Sequence, residues 1–166
     1  MRIVLVMLSL LLVNPLYSPH PLGSPLIIIN KTTNELAYYH QGKFVVKEKV
    51  ATGKTNELTP EGLFTVKVKA EHPYYRKKDI PGGDPRNPLG TRWVGFDAKG
   101  TDGRIYGIHG TNNPSSIGKY ISNGCIRMRN SAVELLYEKV PINTKVLIVS
   151  TNESFDSLAK KHGVIK

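Results

Sequence analysis

The sequence predicts a mainly β domain, with a sandwich or barrel-like sheet and two or three short helices. Seven short runs have strand character, turn residues separate them, and the helical segments are few and late in the chain. A doubly wound α/β sheet would need helices that alternate with the strands, and this order lacks them. Short strands separated by turns favour a sandwich or a barrel-like sheet instead.

The first half of the chain holds the clearest strands. Leu26–Asn30 is a short apolar run. Glu35–His40 and Lys43–Ala51 follow it, and the Gln41-Gly42 pair between them predicts a hairpin turn. Phe64–Ala70 alternates apolar and polar side chains, as a half-buried strand does. We expect these four runs to form neighbouring strands of the sheet.

A long segment without regular structure follows. Residues 71–91 contain four of the eleven prolines and three glycines, so no helix or strand is predicted there. A loop of about 20 residues within a compact domain is usually a functional lid or a disordered segment. We expect this segment to cover a cleft.

The second half adds three more strands and the helices. Arg92–Asp97, Ile105–His109 and Lys145–Val149 are the predicted strands, and Pro114–Tyr120 is predicted to be a short helix. Trp93, in the first of these strands, is expected to belong to the core and not to a substrate platform.

Two further helices are predicted near the C-terminus. Ser131 and Glu134 have the spacing of a capping box, which predicts a helix that runs to about Val140. The tail, residues 151–166, looks helical and exposed. It is similar to the first helix of a LysM wall-binding repeat, but the sequence is too short to complete such a repeat, so we interpret it as an accessory helix.

The N-terminus has the pattern of a secretory signal. Arg2 precedes an unbroken apolar run, Ile3–Val13, which is too short to span a bilayer that needs about 20 residues. We predict a signal peptide or N-terminal anchor over residues 1–18 and a linker over residues 19–25. The predicted product is secreted, with membrane contact only through an uncleaved anchor. A buried core segment is the alternative.

The net charge points to an anionic environment. Lys and Arg number 23 against 13 acidic residues, which gives a formal charge of +10. Nucleic acid, anionic lipid and a wall polymer would all suit that charge. The Tyr74–Lys78 run favours a nucleic-acid partner, whereas the predicted secretory signal argues against one. We predict an anionic wall and no nucleic-acid partner.

The chain has one cysteine, Cys125. An exported protein with a single cysteine keeps a free thiol or an intermolecular bridge. A free thiol outside the cell is prone to oxidation, so its presence favours a chemical role. The five histidines lack the spacing of zinc ligands, and no metal is predicted. They are His20, His40, His72, His109 and His162.

Two segments carry the chemistry that the thiol suggests. His109 ends a predicted strand, and Cys125 follows in a glycine-bearing turn. An imidazole can take the thiol proton, and the amides at Gly124 and Cys125 can stabilise an oxyanion. Arg127 offers a guanidinium that suits a carboxylate. From spacing alone, a buried structural cysteine, a structural histidine and a surface ion pair remain open.

These segments resemble the signature of the L,D-transpeptidase catalytic domain, the YkuD family. Its members have His-Gly-Thr and then Ser-x-Gly-Cys-Ile/Val-Arg-Met, as found here at residues 109–111 and 122–128. Residues 52–54 and 59–64 resemble the family's Gly-Lys and Thr-Pro-x-Gly-x-Phe stretch. The resemblance covers roughly residues 26–150, the predicted catalytic domain. Many members have histidine where this chain has Asn123, which argues for His109 as the base.

The resemblance implies roles for eight residues. Cys125 would be the nucleophile, His109 the acid and base, and the Gly110 carbonyl the group that orients His109. Gly124 would belong to the oxyanion site. Four residues would contact the substrate: Arg127, Asn123, Ser122 and Thr111.

The resemblance also implies the reaction. A thioester on Cys125 would pass a peptidoglycan stem peptide to the side-chain amine of another stem, which makes a 3→3 cross-link without metal or cofactor. Transfer to water, a carboxypeptidase reaction, and exchange of a D-amino acid are alternatives at the same site. A non-catalytic wall-binding module is an alternative of another class. We expect a monomer.

Overall fold

The protein is described here by a computed structural model that covers residues 21–166. The predicted signal segment and the first two residues of the predicted linker lie outside that range. The strands are β1 (Leu26–Asn30), β2 (Glu35–His40), β3 (Lys43–Lys49), β4 (Thr52–Gly53), β5 (Gly62–Glu71), β6 (Arg92–Phe96), β7 (Tyr106–His109), β8 (Tyr120–Ser122), β9 (Ile126–Arg127) and β10 (Lys145–Val149). The α-helices are α1 (Asn130–Lys139) and α2 (Phe155–Lys161).

Eight of the strands form one curled sheet in the order β3-β2-β1-β10-β5-β6-β7-β9. β1 pairs with β10 and β7 with β9 in parallel, and the other neighbours are antiparallel. Ala51, just after β3, exchanges two backbone hydrogen bonds of 2.9 Å with Arg127 of β9. This contact brings the chain from one edge of the sheet to the strand at the other edge. The predicted mainly β, barrel-like fold is confirmed.

The sheet has two faces with different coverings. Alternate residues point to opposite faces of a strand, so in β1 Ile27 and Ile29 enter the main core while Leu26 and Ile28 face the other way. Helix α1 closes the main core with Val133 and Leu136. We call the opposite side of the sheet the second face.

The predicted helical tail is a helix, but the prediction that it is exposed is wrong. Leu158 is 6% exposed, and Ala159 and Val164 are fully buried against the second face of β1, β2 and β10. That face is apolar because each of these strands is hydrophobic on both sides, so it needs a cover. Residues 21–25 are not a free linker either, since the Gly23 amide donates to the Val164 carbonyl at 3.1 Å.

Two local predictions in the second half are corrected. Helix α1 begins at Asn130, and Ser131 lies inside it and does not cap it. Only Pro114–Ser116 forms a helical turn, a 3-10 turn, and the predicted helix gives way to β8. The reason is tertiary, because β8 pairs with β4 in a small parallel sheet.

Neither α-helix within residues 21–166 has the length and apolar character needed to cross a membrane.

Candidate active site

Two of the predicted site residues, His109 and Arg127, lie on the second face, at the end of the sheet formed by β6, β7 and β9. His109 is in register with Trp93 on one side and with Arg127 on the other. Their neighbours Ile108 and Ile126 are in the main core, so these three side chains face away from it. Cys125 lies just before β9, and its thiol contacts the backbone of Ile105 and Gly107 at β7.

Cys125 is a free cysteine and partly buried at the start of β9. Its thiol donates to the Ile105 carbonyl at 3.4 Å, and the Gly107 amide is close enough to lower the thiol pKa. The preceding Gly124 has a φ of +127°, and a Cβ there would lie 2.5 Å from the Leu58 carbonyl oxygen. Only glycine fits that turn, so it holds the thiol at the strand end.

His109 is 4% exposed and held from two sides. Its Nδ1–H donates to the Gly110 carbonyl at 2.6 Å, which is the orienting contact that the family resemblance implies. That bond leaves Nε2 as the acceptor of the neutral imidazole. The ring stacks on Trp93 with centroids 5.6 Å apart and an interplanar angle of 14°.

Trp93 is a buried support, as predicted from the sequence. Its indole N–H donates to the Gly103 carbonyl at 2.8 Å. A Cβ on Gly107 would lie 2.5 Å from the indole ring, so the glycine leaves the space that the ring occupies. The stack therefore depends on a glycine of β7 as well as on the tryptophan.

The electrostatics favour an uncharged Cys–His pair. Burial lowers the pKa of His109 to about 4 and raises the pKa of Cys125 above its usual range. The cationic side chains of Arg127 and Lys77 act in the other direction on the thiol. At neutral pH the resting site therefore holds a neutral thiol and a neutral imidazole, and His109 is free to accept a proton.

The turn after His109 is fixed by Asn130. Its Oδ1 accepts from the Thr111 amide at 3.0 Å, and a Cβ on Gly110 would overlap that oxygen. The buried Thr111 hydroxyl accepts from the Asn113 amide at 3.0 Å. Thr111 therefore supports the turn, and its predicted contact with substrate stays a prediction.

The turn before Cys125 uses most of its own polar groups. Ser122 is 2% exposed, and its hydroxyl accepts from the Gly124 amide at 3.0 Å. That amide is thus engaged, which leaves the Cys125 amide as the oxyanion donor in our proposal. Asn123 is exposed at the tip of the turn. Contact of Ser122 and Asn123 with substrate also stays a prediction, and the buried position of Ser122 favours a supporting role.

Arg127 is the cation beside the pair. Its backbone exchanges hydrogen bonds with Ala51. Arg127 is half-buried, and no carboxylate within residues 21–166 forms an ion pair with its guanidinium. An anionic group of a ligand could take that place. In the same range, no cluster of three or more His, Cys, Asp and Glu side chains could hold a metal ion.

Sequence reasoning missed two residues that hold the site. Thr59 is fully buried, accepts from the Gly53 amide at 2.8 Å and donates to the Gly124 carbonyl at 3.0 Å. Asn130 bonds the turn after His109, as described above. The Thr59-Pro60 pair was part of the family resemblance, but nothing local in the sequence shows that a threonine hydroxyl is buried against a turn 65 residues away.

The segment 71–91 lies next to the site, in keeping with the predicted cover. The Leu89 carbonyl interacts with the His109 imidazole. Farther out, the Asn112 amide donates to the Arg86 carbonyl at 3.0 Å. The segment contains one 3-10 turn, Arg76–Lys78, where no regular element was predicted.

Comparison with known proteins identifies the family to which the sequence is similar. Residues 24–148 match the family model YkuD, the L,D-transpeptidase catalytic domain. YqjB of Bacillus subtilis, an L,D-transpeptidase by name, is 61% identical over 140 residues, which cover 84% of this chain and 80% of YqjB. YbiS of Escherichia coli, named as a probable L,D-transpeptidase, is 32% identical over 142 residues, or 74% of this chain and 44% of YbiS.

Solved structures share the fold. An L,D-transpeptidase from Mycobacterium smegmatis superimposes with a TM-score of 0.61 at 20% identity, covering 77% of this chain and 59% of that one. The catalytic domain of the E. faecium L,D-transpeptidase gives 0.57 at 24% identity, with 77% and 98% covered. The chain thus spans nearly all of an isolated catalytic domain and a smaller part of the longer relatives.

Proposed function

Because the chain belongs to the YkuD family of L,D-transpeptidase catalytic domains, we propose that it forms 3→3 peptidoglycan cross-links through a thioester on Cys125. The observation that carries the proposal is the placement of the only cysteine beside His109 and Arg127 on one face of β7 and β9. A nucleophile, a base oriented by a backbone carbonyl, and an unpaired cation are the parts that acyl transfer from an anionic peptide needs.

The acylation step uses the neutral pair. The thiol turns from the Ile105 carbonyl toward Nε2 of His109, which accepts its proton as Sγ attacks the carbonyl of the third residue of a stem tetrapeptide. The Cys125 amide stabilises the oxyanion. The C–N bond to the terminal D-alanine then breaks, and His109 returns the proton to the leaving amine. Arg127 binds a carboxylate of the donor.

The second step releases the peptide. The side-chain amine of a neighbouring stem attacks the thioester, His109 takes a proton from it, and the thiolate leaves and is reprotonated. If water replaces the amine, the result is a carboxypeptidase. If a free D-amino acid replaces it, the result is exchange at the end of the stem. The same residues serve all three reactions.

The place of action is also part of the proposal. The apolar run Ile3–Val13 after Arg2 is typical of export, and the charge of +10 suits an anionic wall. We propose a secreted, wall-associated enzyme that acts on stem peptides without metal or cofactor.

Mass spectrometry of a defined reaction tests the proposal. The purified chain is incubated with a disaccharide tetrapeptide, and a cross-linked dimer with loss of D-alanine is expected. Cys125→Ala is the matched control and should form no product. Loss of D-alanine without a dimer would favour the carboxypeptidase, and no turnover with retained wall binding in both variants would favour the wall-binding module.

An inhibitor provides an independent test. A Mycobacterium tuberculosis L,D-transpeptidase with the same fold has been solved with a faropenem-derived adduct. Faropenem should therefore add to Cys125 in this chain, with an intact-mass increase that disappears in Cys125→Ala. An unchanged mass after long incubation with excess drug would count against a nucleophilic Cys125.

A further inference from the structure

The segment 71–91 has a buried polar centre. Asn87 is 2% exposed, although the residues around it are exposed or half-buried. A buried amide must satisfy its hydrogen-bonding groups or destabilise the fold by about 1–3 kcal/mol. The proposed mechanism does not use Asn87, so its burial needs another reason.

Asn87 joins three separate stretches of the segment. Its Nδ2 donates to the Pro73 carbonyl at 2.8 Å and to the Pro81 carbonyl at 3.0 Å. Its Oδ1 accepts from the Leu89 amide at 2.9 Å. These bonds use both donors of the amide and give the segment a fixed shape that its proline and glycine content alone would not provide.

The third of these bonds leads to the site. Leu89, whose amide Asn87 holds, presents its carbonyl to His109. Gly90, with a φ of +66°, is packed so tightly against the Thr111 amide that a Cβ there would lie 2.5 Å from it. The Leu89–Gly90 turn therefore covers both His109 and the Gly110 carbonyl that orients it.

We propose that Asn87 is a positioning residue that holds the Leu89–Gly90 turn over His109 and so keeps the imidazole dry and oriented. The expected effect of Asn87 on turnover rests on the proposed function. The expected effect of Asn87 on the pKa of His109 does not. Asn87 acts through the turn and does not touch the reacting atoms.

Opening the turn has a predictable electrostatic result. Burial is the largest cause of the low pKa of His109, and the Leu89 carbonyl is a smaller cause that acts in the opposite direction. If the turn loosens, water reaches the ring, and the relief of burial outweighs the loss of the carbonyl. The pKa of His109 should then rise from about 4 toward its usual value of about 6.5.

The experiment compares Asn87→Ala with Asn87→Asp. Alanine removes all three bonds, whereas aspartate keeps the acceptor for the Leu89 amide and loses the donors to Pro73 and Pro81. Arg86→Ala, an exposed neighbour in the same segment, is the matched control. Circular dichroism and thermal melting check that each variant folds.

Two readouts follow His109 without any cell-wall substrate: imidazole NMR, and the rate of alkylation of Cys125 by iodoacetamide against pH. In Asn87→Ala the His109 pKa should rise by at least about one unit. Turnover at neutral pH should fall by roughly 10–100-fold, the size expected when a catalytic group is displaced by about 1 Å. Asn87→Asp should resemble Asn87→Ala, because its carboxylate would face the Pro73 and Pro81 carbonyl oxygens without a donor, and Arg86→Ala should match the wild type.

A folded Asn87→Ala variant with an unchanged His109 pKa and an unchanged alkylation profile would overturn the inference. So would an Asn87→Asp variant that keeps the wild-type His109 pKa and alkylation profile, because the donors to Pro73 and Pro81 would then hold nothing. If the wild type shows no turnover but the His109 pKa rises in Asn87→Ala as expected, the proposed function fails and the positioning role of Asn87 stands.

Discussion

The two ends of the second face are built by the same alternation of side chains but are covered differently. At the β1-β2-β10 end the outward residues are apolar and lie under Leu158, Ala159 and Val164 from the C-terminal tail. At the β6-β7-β9 end the outward residues are Trp93, His109 and Arg127, with Cys125 at the start of β9. Within residues 21–166 no α-helix covers that end, and the irregular segment 71–91 lies beside it instead.

The difference separates stability from chemistry within one sheet. An apolar face gains free energy when a helix removes it from water, at about 25 cal/mol per Å². In the proposed function, the face with the imidazole and the thiol stays open to solvent, because a substrate must reach it. His109 is buried, which lowers its pKa, while Cys125 remains partly accessible.

The strongest way to test this separation is to remove the nucleophile. Cys125→Ala should lower turnover by roughly 10⁴-fold or more, because no other thiol exists in the chain. The free energy of unfolding should change by only about 1 kcal/mol, as for a small, partly buried side chain. Mass spectrometry of products and urea unfolding measure the two quantities. Retained turnover in this variant would show that the site end is not the active site.

The base should have the next largest effect. His109→Ala should lower the rate by about 10²–10⁴-fold, the usual contribution of a general base. The wild-type kcat/KM should fall as pH drops through about 4, since protonated His109 cannot accept the thiol proton. The variant should lack that acidic limb. His72→Ala is the control, because His72 is exposed in the segment 71–91 and is the next histidine that could act as the base. A larger loss of rate in His72→Ala than in His109→Ala would assign the base to His72.

A substitution at the β1-β2-β10 end should lower stability and leave turnover unchanged. Leu158→Ala should lower the free energy of unfolding by about 2–5 kcal/mol, because it removes a side chain buried between α2 and the sheet. The turnover of the folded fraction should stay near the wild-type value. Lys160→Ala, on the exposed side of the same helix, should change neither quantity. If Leu158→Ala lowers turnover at full folding, the two ends are coupled.

The buried base also links stability to pH. The pKa of His109 is about 4 in the folded state and about 6.5 when unfolded, so between these values the unfolded chain binds more protons. The free energy of unfolding should therefore decrease as pH falls from 6.5 to 4, by up to about 3 kcal/mol. Urea unfolding of the wild type and of His109→Gln at several pH values isolates this contribution, and parallel curves for the two proteins would contradict it.

The smallest expected effect tests whether stacking on Trp93 orients His109. Gly107→Ala should displace Trp93, since the new Cβ would lie 2.5 Å from the indole. Overpacking of this kind costs about 1–3 kcal/mol of stability, and here it should also lower turnover because His109 rests on that ring. Lys119→Ala, at an exposed position outside the site, is the control. Equal turnover in both variants would show that the stack does not orient His109.

Much of the fold was predictable because hydrophobic alternation is a local property. The hairpin at Gln41-Gly42 and the strands at Leu26–Asn30 and Lys145–Val149 follow from side-chain order alone. The short strands β8 and β9 were not predicted, since each exists only through pairing with a distant segment. The tail was predicted as a helix but not as a buried one, because the apolar surface that it covers belongs to other strands.

For the site, the sequence by itself determined which residues are chemically able to act: a single thiol, a histidine at a strand end, and an arginine two positions after the thiol. Residue types and family resemblance are enough for that. Only the tertiary structure decided the state of these groups. Burial lowers the pKa of His109, and the turn at Gly124 depends on the hydroxyl of Thr59. Those are contacts between residues far apart in the chain, and no local pattern encodes the free energy of such a contact.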